Sequence, residues 1–597
     1  MEFNEADNET MQLLSKWNAI KEPISEAEIC DALRPIRQSA EDLDRTSRIW
    51  MEEMAFLFSE GSRKGDNPWG TYFGPFMTGR NDQGYFEAPS IEQVTVEILD
   101  YWAKRAEEVT HPVLKARYAG LVWDFSKHVT GSFADVSFAH KRIDSILEMA
   151  SSDSHKYDID VINKLEHALS LSLQIGNDEK LERVKNAIFS YEDKIAEDDK
   201  PGLWGFSFEL LLNNKKIQLT EEQEQKILSD LEIRLEKVSH PNEQSRLNPW
   251  AAEKAATALA QYYKLKNKND DIKRVLTKFG SAFAELASSA NATLASLWME
   301  NVAKVYSDFG LRAEAGEIFQ EVHVLWRKAK DEMREISVPI SIEKANVDKI
   351  VEGLIEGEIE SSIAKIVYNL IPRKDDIENQ LRESTSSAPV FYHFQRRIVD
   401  PQGKPVARIG PITEDVDGHI VRKVAENITS PISIIVLKES ISAFVNKHDL
   451  SPNKFLEILY RSPLFRDEKK EILRKGIEAY LRSDSITAIH LLIPQIEDGV
   501  RHLIEMTGGS VGRYIKKYGV YTYRGFGALL DEESVGKTFG ESAAKYLKVL
   551  FADPRGLNLR NDVCHGQKSG EALNSILADR VFHALLLIGL AREKHDE

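Results

Sequence analysis

The sequence predicts a mainly α-helical protein: an irregular helical array, then a helical bundle, with one β-hairpin between them. Apolar residues recur at helical spacing over most of the 597 residues. Strand-like alternation around a turn signal is convincing at one place, residues 391–409. The longest apolar run, Ala584–Ala591, is too short to cross a membrane and predicts a buried helix.

The composition is typical of a soluble globular protein, and the length suits about three or four domains. The net charge of −17 argues against nonspecific nucleic-acid binding by the whole surface, although it permits a local basic site. Two cysteines, Cys30 and Cys564, make neither a disulfide framework nor a zinc set and suit a reducing compartment. The acidic N-terminus shows no signal peptide, so we expect a cytoplasmic protein without a membrane partner.

Three regions are predicted: a helical array over 1–340, a helix plus hairpin linker over 341–415, and a helical domain over 416–597. Within the array, residues 61–90 are dense in Gly, Pro and aromatic residues and predict a loop. Its aromatic side chains either anchor the loop on the helices or stack on a ligand. Ser90 and Gln93 form a capping box where the helical pattern resumes.

A small/large apolar pattern repeats within the array. Ala260 and Tyr263 match Ala303 and Tyr306 at an offset of about 43 residues. This spacing resembles tetratricopeptide-type helical hairpins, and an irregular helical array fits equally well. In either case the array offers a concave surface for a protein partner or for self-association, unless it only packs on the C-terminal domain.

The linker begins with a helical segment from Ile355 to Leu381, broken or kinked at Pro372. A β-hairpin follows, in which Phe391–Val399 and Val406–Ile409 flank the turn Asp400–Gly403.

The C-terminal domain contains a polar stripe on an otherwise apolar helix. His490, Pro494, Glu497 and Arg501 are spaced four, three and four residues apart and share one face. Such a stripe faces either water or a polar site. In the simpler case, Glu497 and Arg501 form a surface ion pair worth about 0.2–0.5 kcal/mol.

A basic, tyrosine-rich loop is predicted over 508–527. Arg513, Lys516 and Lys517 alternate with tyrosines there. Cations for phosphates and aromatic rings for bases suit single-stranded RNA. Residues 526–551 and 571–593 are expected to supply the last two helices.

The segment 556–566 combines an arginine, an amide and a histidine between breaker residues. If Asn558 caps a short helix, Arg560 lies in its first turn, and Asn561 and His565 share a face. A cation and an imidazole near a helix N-terminus suit a phosphate group. Cys564 lies partly off this face, and we interpret it as a packing residue.

The Arg-Asn-x-x-x-His-Gly pattern of residues 560–566 resembles the R-x(4–6)-H signature of the HEPN superfamily (higher eukaryotes and prokaryotes nucleotide-binding domains). More narrowly, it resembles a C-terminal domain family of uncharacterised function with an Arg-Asn, three residues, His-Gly hallmark. The preceding helix, His490–Arg501, and the segment Tyr546–Leu559 match that context, so the resemblance covers about 480–595. It implies a HEPN-like bundle in which polar residues of the neighbouring helix, including His490, Glu497 and Arg501, line the site.

RNA cleavage without a metal needs a base, an acid and a cation that stabilises the phosphorane. Histidine side chains titrate near pH ~6.5 in model peptides and suit acid–base work, which makes His565 the candidate for that role. Arg560 offers a permanent planar donor for phosphate oxygens, and Asn561 either orients the imidazole or donates to phosphate. The resemblance implies a homodimer in which a second His565 completes the site, leaving 2′,3′-cyclic phosphate and 5′-OH ends.

No metal or cofactor is predicted, because the sequence has no His-x3-His, no Cys-x2-Cys and no glycine-rich phosphate loop. The predicted function is a gated, metal-independent endoribonuclease with RNA as partner, and family analogy suggests a toxin–antitoxin or anti-phage system. The alternative is a non-catalytic helical scaffold whose C-terminal domain only dimerises or binds nucleotide or RNA.

Overall fold

The computed structural model describes residues 5–40, 44–61, 69–81, 84–240, 246–334, 337 and 340–593. The protein is mainly helical, as the sequence predicts, and forms two compact units, Met1–Leu325 and Trp326–Glu597. The segment 341–415, which the sequence sets apart as a linker, lies within the second unit.

In the described residues, the first unit is built from consecutive packed helices with two short two-stranded sheets. The helices are α1 (Glu5–Ala19), α2 (Glu26–Ser39), α3 (Arg48–Leu57), α4 (Val96–Glu108), α5 (Pro112–Thr130), α6 (Val136–Ser152), α7 (Asp158–Gln174), α8 (Asp178–Ile195), α9 (Glu221–Ser239), α10 (Pro249–Leu265), α11 (Asn269–Ser288), α12 (Ala292–Asp308) and α13 (Arg312–Glu332), which crosses the unit boundary. The antiparallel strand pairs are β1 (Ser59–Glu60) with β2 (Phe73–Gly74) and β3 (Met77–Asn81) with β4 (Gly84–Ala88).

The predicted repeat has a structural counterpart in α10 to α13. Helices α10 and α12 have the same length and begin 43 residues apart, as do the starts of α11 and α13. Ala260, Tyr263, Ala303 and Tyr306 are all buried. The matched apolar positions therefore mark equivalent packing faces of two successive helical hairpins.

The loop predicted over 61–90 is wrong for residues 73–74, 77–81 and 84–88, which form strands. Residues 62–68 and 82–83 of that prediction lie outside the described residues. The anchoring interpretation of its aromatic residues does fit. The Trp69 ring packs edge-on against Phe58 and Phe125, and Phe73 is fully buried. Large apolar surface removed from water thus fixes this segment on the helices.

Three helix starts show how capping works in this chain. Ser430 and Ser451 cap the helices Pro431–His448 and Pro452–Leu459, and each serine directly precedes the proline in the first helical position. Ser90 does form the capping box, but only a 3-10 turn follows it, and α4 begins after Thr95. Both hydrogen bonds of the capping box are made within that one turn. The motif alone therefore does not determine where the long helix begins.

The second unit contains the predicted β-hairpin, one hairpin that was not predicted, and a large helical bundle. The predicted first strand, Phe391–Val399, begins only at Arg396, because Pro389 starts a helical turn that runs to Tyr392. The helices are α14 (Lys344–Ile355), α15 (Ile359–Asn369), α16 (Lys374–Ser387), α17 (Pro389–Tyr392), α18 (Val416–Ile428), α19 (Pro431–His448), α20 (Pro452–Leu459), α21 (Lys470–Leu481), α22 (Ser485–Met506), α23 (Phe526–Leu530), α24 (Glu533–Phe539), α25 (Glu541–Phe551), α26 (Leu559–Cys564) and α27 (Ser575–Gly589). The antiparallel strand pairs are β5 (Arg396–Val399) with β6 (Pro405–Ile409) and β7 (Gly512–Ile515) with β8 (Val520–Tyr523).

The predicted break at Pro372 is confirmed, since α15 ends at Asn369 and α16 begins at Lys374. The broken helix joins the bundle. Ile366 of α15 and Phe582 of α27 are both fully buried in one apolar core that runs from residue 347 to residue 591. The helices assigned to the linker are therefore part of the fold that carries the Arg-Asn-x-x-x-His-Gly segment.

Two predictions for the bundle are wrong. The loop predicted over 508–527 contains the hairpin β7–β8, turned at Gly519 with φ of +67°. The single helix predicted over 526–551 is three helices, α23 to α25, and Gly540 separates the last two with φ of +86°. Glycine adopts this left-handed backbone without the steric cost that other residues carry.

No single helix in the described ranges is both long and apolar enough to cross a membrane. Helices α18 and α19 reach that length only as a pair, and they are bent by 53° relative to each other.

Buried His583 of α27 gives the second unit a defined pH dependence. Tyr546 donates its hydroxyl to Nδ1 at 2.8 Å, and Nε2 donates to the Val367 carbonyl at 3.2 Å. Burial, aided by the charge of Arg580, lowers the pKa of His583 to about 3. The unfolded chain takes up this proton near pH ~6.5. The stability contributed by neutral His583 is thus complete above that pH and is lost as the pH falls towards 3.

We expect the free energy of unfolding to fall by about 1.4 kcal/mol more per pH unit in the wild type than in His583→Gln below pH ~6.5. Urea unfolding followed by circular dichroism between pH 7.5 and 5 measures both slopes. The glutamine side chain does not titrate in this range. Equal slopes for the wild type and His583→Gln would therefore show that His583 is protonated in the folded protein as well, which would contradict the expectation.

Candidate functional site

The candidate site lies where α25 leads into α26. Leu559 is fully buried and Val563 nearly so, and both anchor α26 in the core. Gly556 allows the backbone before α26 to lie against α25, because a Cβ at this position would lie 2.4 Å from the Val549 carbonyl oxygen. The next amide, that of Leu557, donates to the same oxygen at 2.8 Å. The glycine thus fixes the start of α26 against α25.

Arg555 ties this approach to the start of α18. Its guanidinium bonds Asp553 of the same segment, Asp417 at 2.6 Å and Asp415 at 3.3 Å. Burial would raise the pKa of Asp553, but the hydrogen bonds from Arg555 outweigh it and hold that pKa below its usual value. The Asp553 carboxylate therefore stays charged, and Arg555 links the segment before α26 to the start of α18.

The N-terminus of α26 differs from the prediction. Asn558 occupies the cap position with φ of +49°, but its side chain makes no capping hydrogen bond. Its amide instead donates to Asp562 and accepts from Asn561. A helix of only six residues aligns few peptide dipoles, so any phosphate bound here depends on side chains rather than on the helix end.

The C-terminus of α26 explains the His-Gly order. The Gln567 amide donates to the Asp562 carbonyl at 2.7 Å, and the Gly566 amide donates to that of Val563 at 3.2 Å. Gly566 is left-handed, with φ of +65°. These bonds form a Schellman motif, in which glycine follows the last helical residues. His565 therefore sits at the cap, where the chain turns away and its side chain is exposed.

Glu497 of α22 brings two predicted site residues together. Its carboxylate is buried and accepts from Arg560 Nε at 2.8 Å. It also accepts from Arg501 Nη2 at 2.8 Å, one turn along the same helix. The pair Glu497–Arg501 therefore exists, as the simpler interpretation requires, but the same carboxylate also binds the arginine of the candidate motif.

This arrangement keeps Arg560 charged. Partial burial by itself would lower the pKa of the guanidinium, but the hydrogen bond and the charge of Glu497 outweigh it and raise that pKa above its usual value. Arg560 is thus a permanent cation held in one orientation by a carboxylate.

Asn561 supports Arg560 rather than the imidazole. Its Oδ1 accepts from Arg560 Nη1 at 3.3 Å, and its Nδ2 donates to Asn558 at 2.7 Å. Of the two roles the sequence suggests for this amide, orienting the imidazole finds no support in these bonds. Asn558 and Asp562 extend the network, and sequence reasoning missed both as supporting residues. Their spacing was the available signal, because Asn558 lies three residues before Asn561 and four before Asp562, the separations at which side chains meet on a helix.

His565 and His490 differ in their surroundings. His565 is exposed, and within the described residues its imidazole has no hydrogen bond or ion pair. His490 is also exposed, but its Nδ1 donates to the Ile486 carbonyl of its own helix at 2.8 Å. No hydrogen bond or ion pair joins His490 to α26 in the described parts of the chain. The structure therefore brings Glu497 and Arg501 to the motif and leaves His490 outside its network.

The hairpin β7–β8 is linked to the same network. The Arg501 guanidinium carbon lies 4.8 Å from the centre of the Tyr523 ring. Arg513, Lys516 and Lys517 are exposed on this hairpin. Tyr523 was missed as a site residue, because its proximity to Arg501 depends on a hairpin that the sequence did not predict.

One further prediction can be compared. Cys564 is exposed, so its interpretation as a packing residue is wrong. Across the described ranges, no group of three His, Cys, Asp or Glu residues is arranged to hold a metal ion.

Comparison with known proteins gives no match to any protein-family model and none to any curated protein.

Glu497 should limit how much of the Arg560 charge reaches a phosphate. Glu497→Gln keeps an oxygen for the arginine N–H groups but removes the competing negative charge. In a His565→Ala background, where RNA is expected to stay intact, we expect tighter RNA binding. The slope of log K against log salt should steepen by about 0.7 if the arginine neutralises one additional phosphate.

Fluorescence anisotropy at several salt concentrations measures this slope. Glu505→Gln is the matched control, because Glu505 pairs with Arg466 near the other end of α22. An unchanged slope for Glu497→Gln, or an equal change in the control, would contradict the local role of Glu497.

Proposed function

We propose that the protein is a metal-independent endoribonuclease of the HEPN type, in which Arg560, Asn561 and His565 act at one site. One observation carries the proposal: a cation fixed by Glu497 and Asn561 lies in α26, and at the C-cap of the same helix lies an exposed imidazole that has no hydrogen bond within the described residues. These groups supply the cation and the base, two of the three groups that phosphodiester cleavage by internal attack requires. The motif resemblance supports the same assignment.

The reaction proceeds by attack of the ribose 2′-oxygen on the adjacent phosphorus. Neutral His565 accepts the 2′-OH proton as the P–O bond forms. Arg560 has five N–H donors; Glu497 and Asn561 take three of them, which leaves two for the phosphoryl oxygens. The bond to the 5′-oxygen then breaks, and that oxygen takes a proton from an acid. The products are a 2′,3′-cyclic phosphate and a 5′-OH.

The acid is proposed to be His565 of a second copy of the chain, in its protonated form. One imidazole serves one proton transfer well, and the exposure of His565 allows a second copy to approach it. The expected partners are RNA and a second copy of the chain. The helical array is expected to bind a further protein, and through it to sense a trigger or to hold an inhibitor. The cytoplasmic location is part of this proposal and is supported by the low cysteine content. The role in a toxin–antitoxin or anti-phage system is also part of it and rests on family analogy.

Expression in a bacterial host tests the proposal. Wild type, His565→Ala and His128→Ala are induced, and total RNA is examined for fragments and end groups. His128 is the matched control, since it is an exposed histidine at the end of α5. We expect fragments with cyclic-phosphate ends from the wild type and from His128→Ala only. Intact RNA from all three folded proteins, also during phage infection, would favour the non-catalytic scaffold.

A further inference from the structure

The hairpin β7–β8 is a local positive region in an acidic chain. Residues 508–530 contain four cations and no acidic residue, although the whole chain carries −17. Arg524 is paired with Glu532. Arg513, Lys516 and Lys517 are exposed, and no carboxylate within the described residues pairs with them. The hairpin therefore presents free positive charge and attracts a negatively charged partner.

Three tyrosines share one face of this hairpin. Tyr514 lies opposite Tyr521, and Gly512 lies opposite Tyr523, so the three side chains project from the same side. Their exposed fractions are 51%, 77% and 70%, in the order Tyr514, Tyr521, Tyr523. The rings of Tyr514 and Tyr521 are 5.2 Å apart. We call these three residues the tyrosine face.

The tyrosine face continues into the candidate site. Tyr523 packs on the Arg501 guanidinium, and Arg501 donates to Glu497, which also holds Arg560. An RNA strand bound on the tyrosine face would therefore extend towards Arg560, the arginine proposed to bind the scissile phosphate.

We infer that the tyrosine face binds an unpaired RNA strand beside the cleavage site and so selects single-stranded over double-stranded RNA. This inference rests on the proposed function. Every base has a flat π-face, so exposed aromatic rings bind unpaired bases without regard to sequence. In a duplex those faces are already stacked on neighbouring bases and are closed to the tyrosines. The free cations of the hairpin supply the phosphate contacts that tyrosines alone lack.

Binding to full-length protein carrying His565→Ala tests the inference without cleavage. The probe is a 5′-fluorescein 12-nucleotide RNA of mixed uridine and adenosine, either alone or annealed to its complement, measured by anisotropy. We expect Tyr521→Ala to weaken binding of the single strand about tenfold, and Tyr521→Phe, which keeps the ring, to bind like the parent. Tyr85→Ala is the matched control, since Tyr85 is an exposed strand tyrosine of the first unit. The duplex is expected to bind at least tenfold more weakly.

Equal affinity of the parent and Tyr521→Ala for the single strand would overturn the inference, as would a duplex that binds as tightly as the single strand. If Tyr521→Ala leaves RNA binding intact but dissociates a dimer in analytical ultracentrifugation, the face is a protein interface and the inference also fails. Because binding is measured in a protein that does not cleave RNA, the test of the tyrosine face and the test of the nuclease function can fail independently. Tyrosine-dependent binding with no nuclease activity in the active-site-intact protein rejects only the proposed function.

Discussion

Replacing His565 with alanine is expected to lower the rate of RNA cleavage by about 10²–10⁴-fold while RNA affinity changes little. General acid–base catalysis typically contributes a factor of that size, and an exposed imidazole adds little to binding. The exposed position also means that the substitution leaves no cavity and no unpaired buried group, so the fold should be retained.

Initial rates on a defined unpaired RNA, with affinity measured by anisotropy, separate the two effects. His128→Ala serves again as the control and should cleave at the wild-type rate. A His565→Ala protein that keeps more than half of the wild-type rate would contradict the assignment. A parallel loss of affinity and rate would indicate a binding role instead.

Arg560→Ala is expected to lower the cleavage rate by about 10²–10³-fold, the range observed when one donor to a developing oxyanion is removed. The carboxylate of Glu497 keeps its partner Arg501, so no buried charge is left without a cation. The fold should therefore survive this substitution. Arg560→Lys keeps the charge, but its three N–H donors sit on one nitrogen and cannot reproduce the planar fork that contacts Glu497 and Asn561 while leaving N–H groups for a phosphate. We expect it to recover only part of the loss.

The matched control is Arg474→Ala, which removes a surface arginine paired with Glu471 and Glu478 on α21. Single-turnover rates and thermal melts of the four proteins measure catalysis and stability side by side. Full activity of Arg560→Lys would show that charge alone suffices, and full activity of Arg560→Ala would remove the arginine from the mechanism.

Much of the helical fold is readable from local signals. Ser430 and Ser451 mark helix starts through hydrogen bonds within the first turn, and Pro372 breaks a helix through its own missing N–H. The 43-residue repeat was visible because the same packing face recurs. In each case the cause lies within a few residues of the effect or repeats along the chain.

The unpredicted hairpins have a different origin. In β7–β8 every residue of β8 is exposed, so no apolar/polar alternation marks the strand. The hairpin depends on a turn at Gly519 and on pairing across it. A hairpin without a buried face lacks the apolar/polar alternation by which a strand is recognised in a sequence.

The candidate site was partly predictable for the same reasons. Arg560, Asn561 and His565 form a compact motif, and Glu497 and Arg501 share a helix face. The bond between Glu497 and Arg560 joins residues 63 positions apart and follows only from the folded structure. The left-handed Asn558, which turned its side chain from capping to supporting Asn561, was likewise not visible in the sequence.

The most direct test of metal-independent cleavage uses purified full-length protein, EDTA and two synthetic RNAs. The first is cut to locate the preferred bond. The second is identical except for a 2′-deoxy nucleotide on the 5′ side of that bond. We predict cleavage of the first RNA in EDTA with 2′,3′-cyclic phosphate and 5′-OH ends, and no cleavage at the modified bond of the second. Cleavage that needs a divalent cation, leaves a 5′-phosphate or proceeds at the deoxy position would contradict the account.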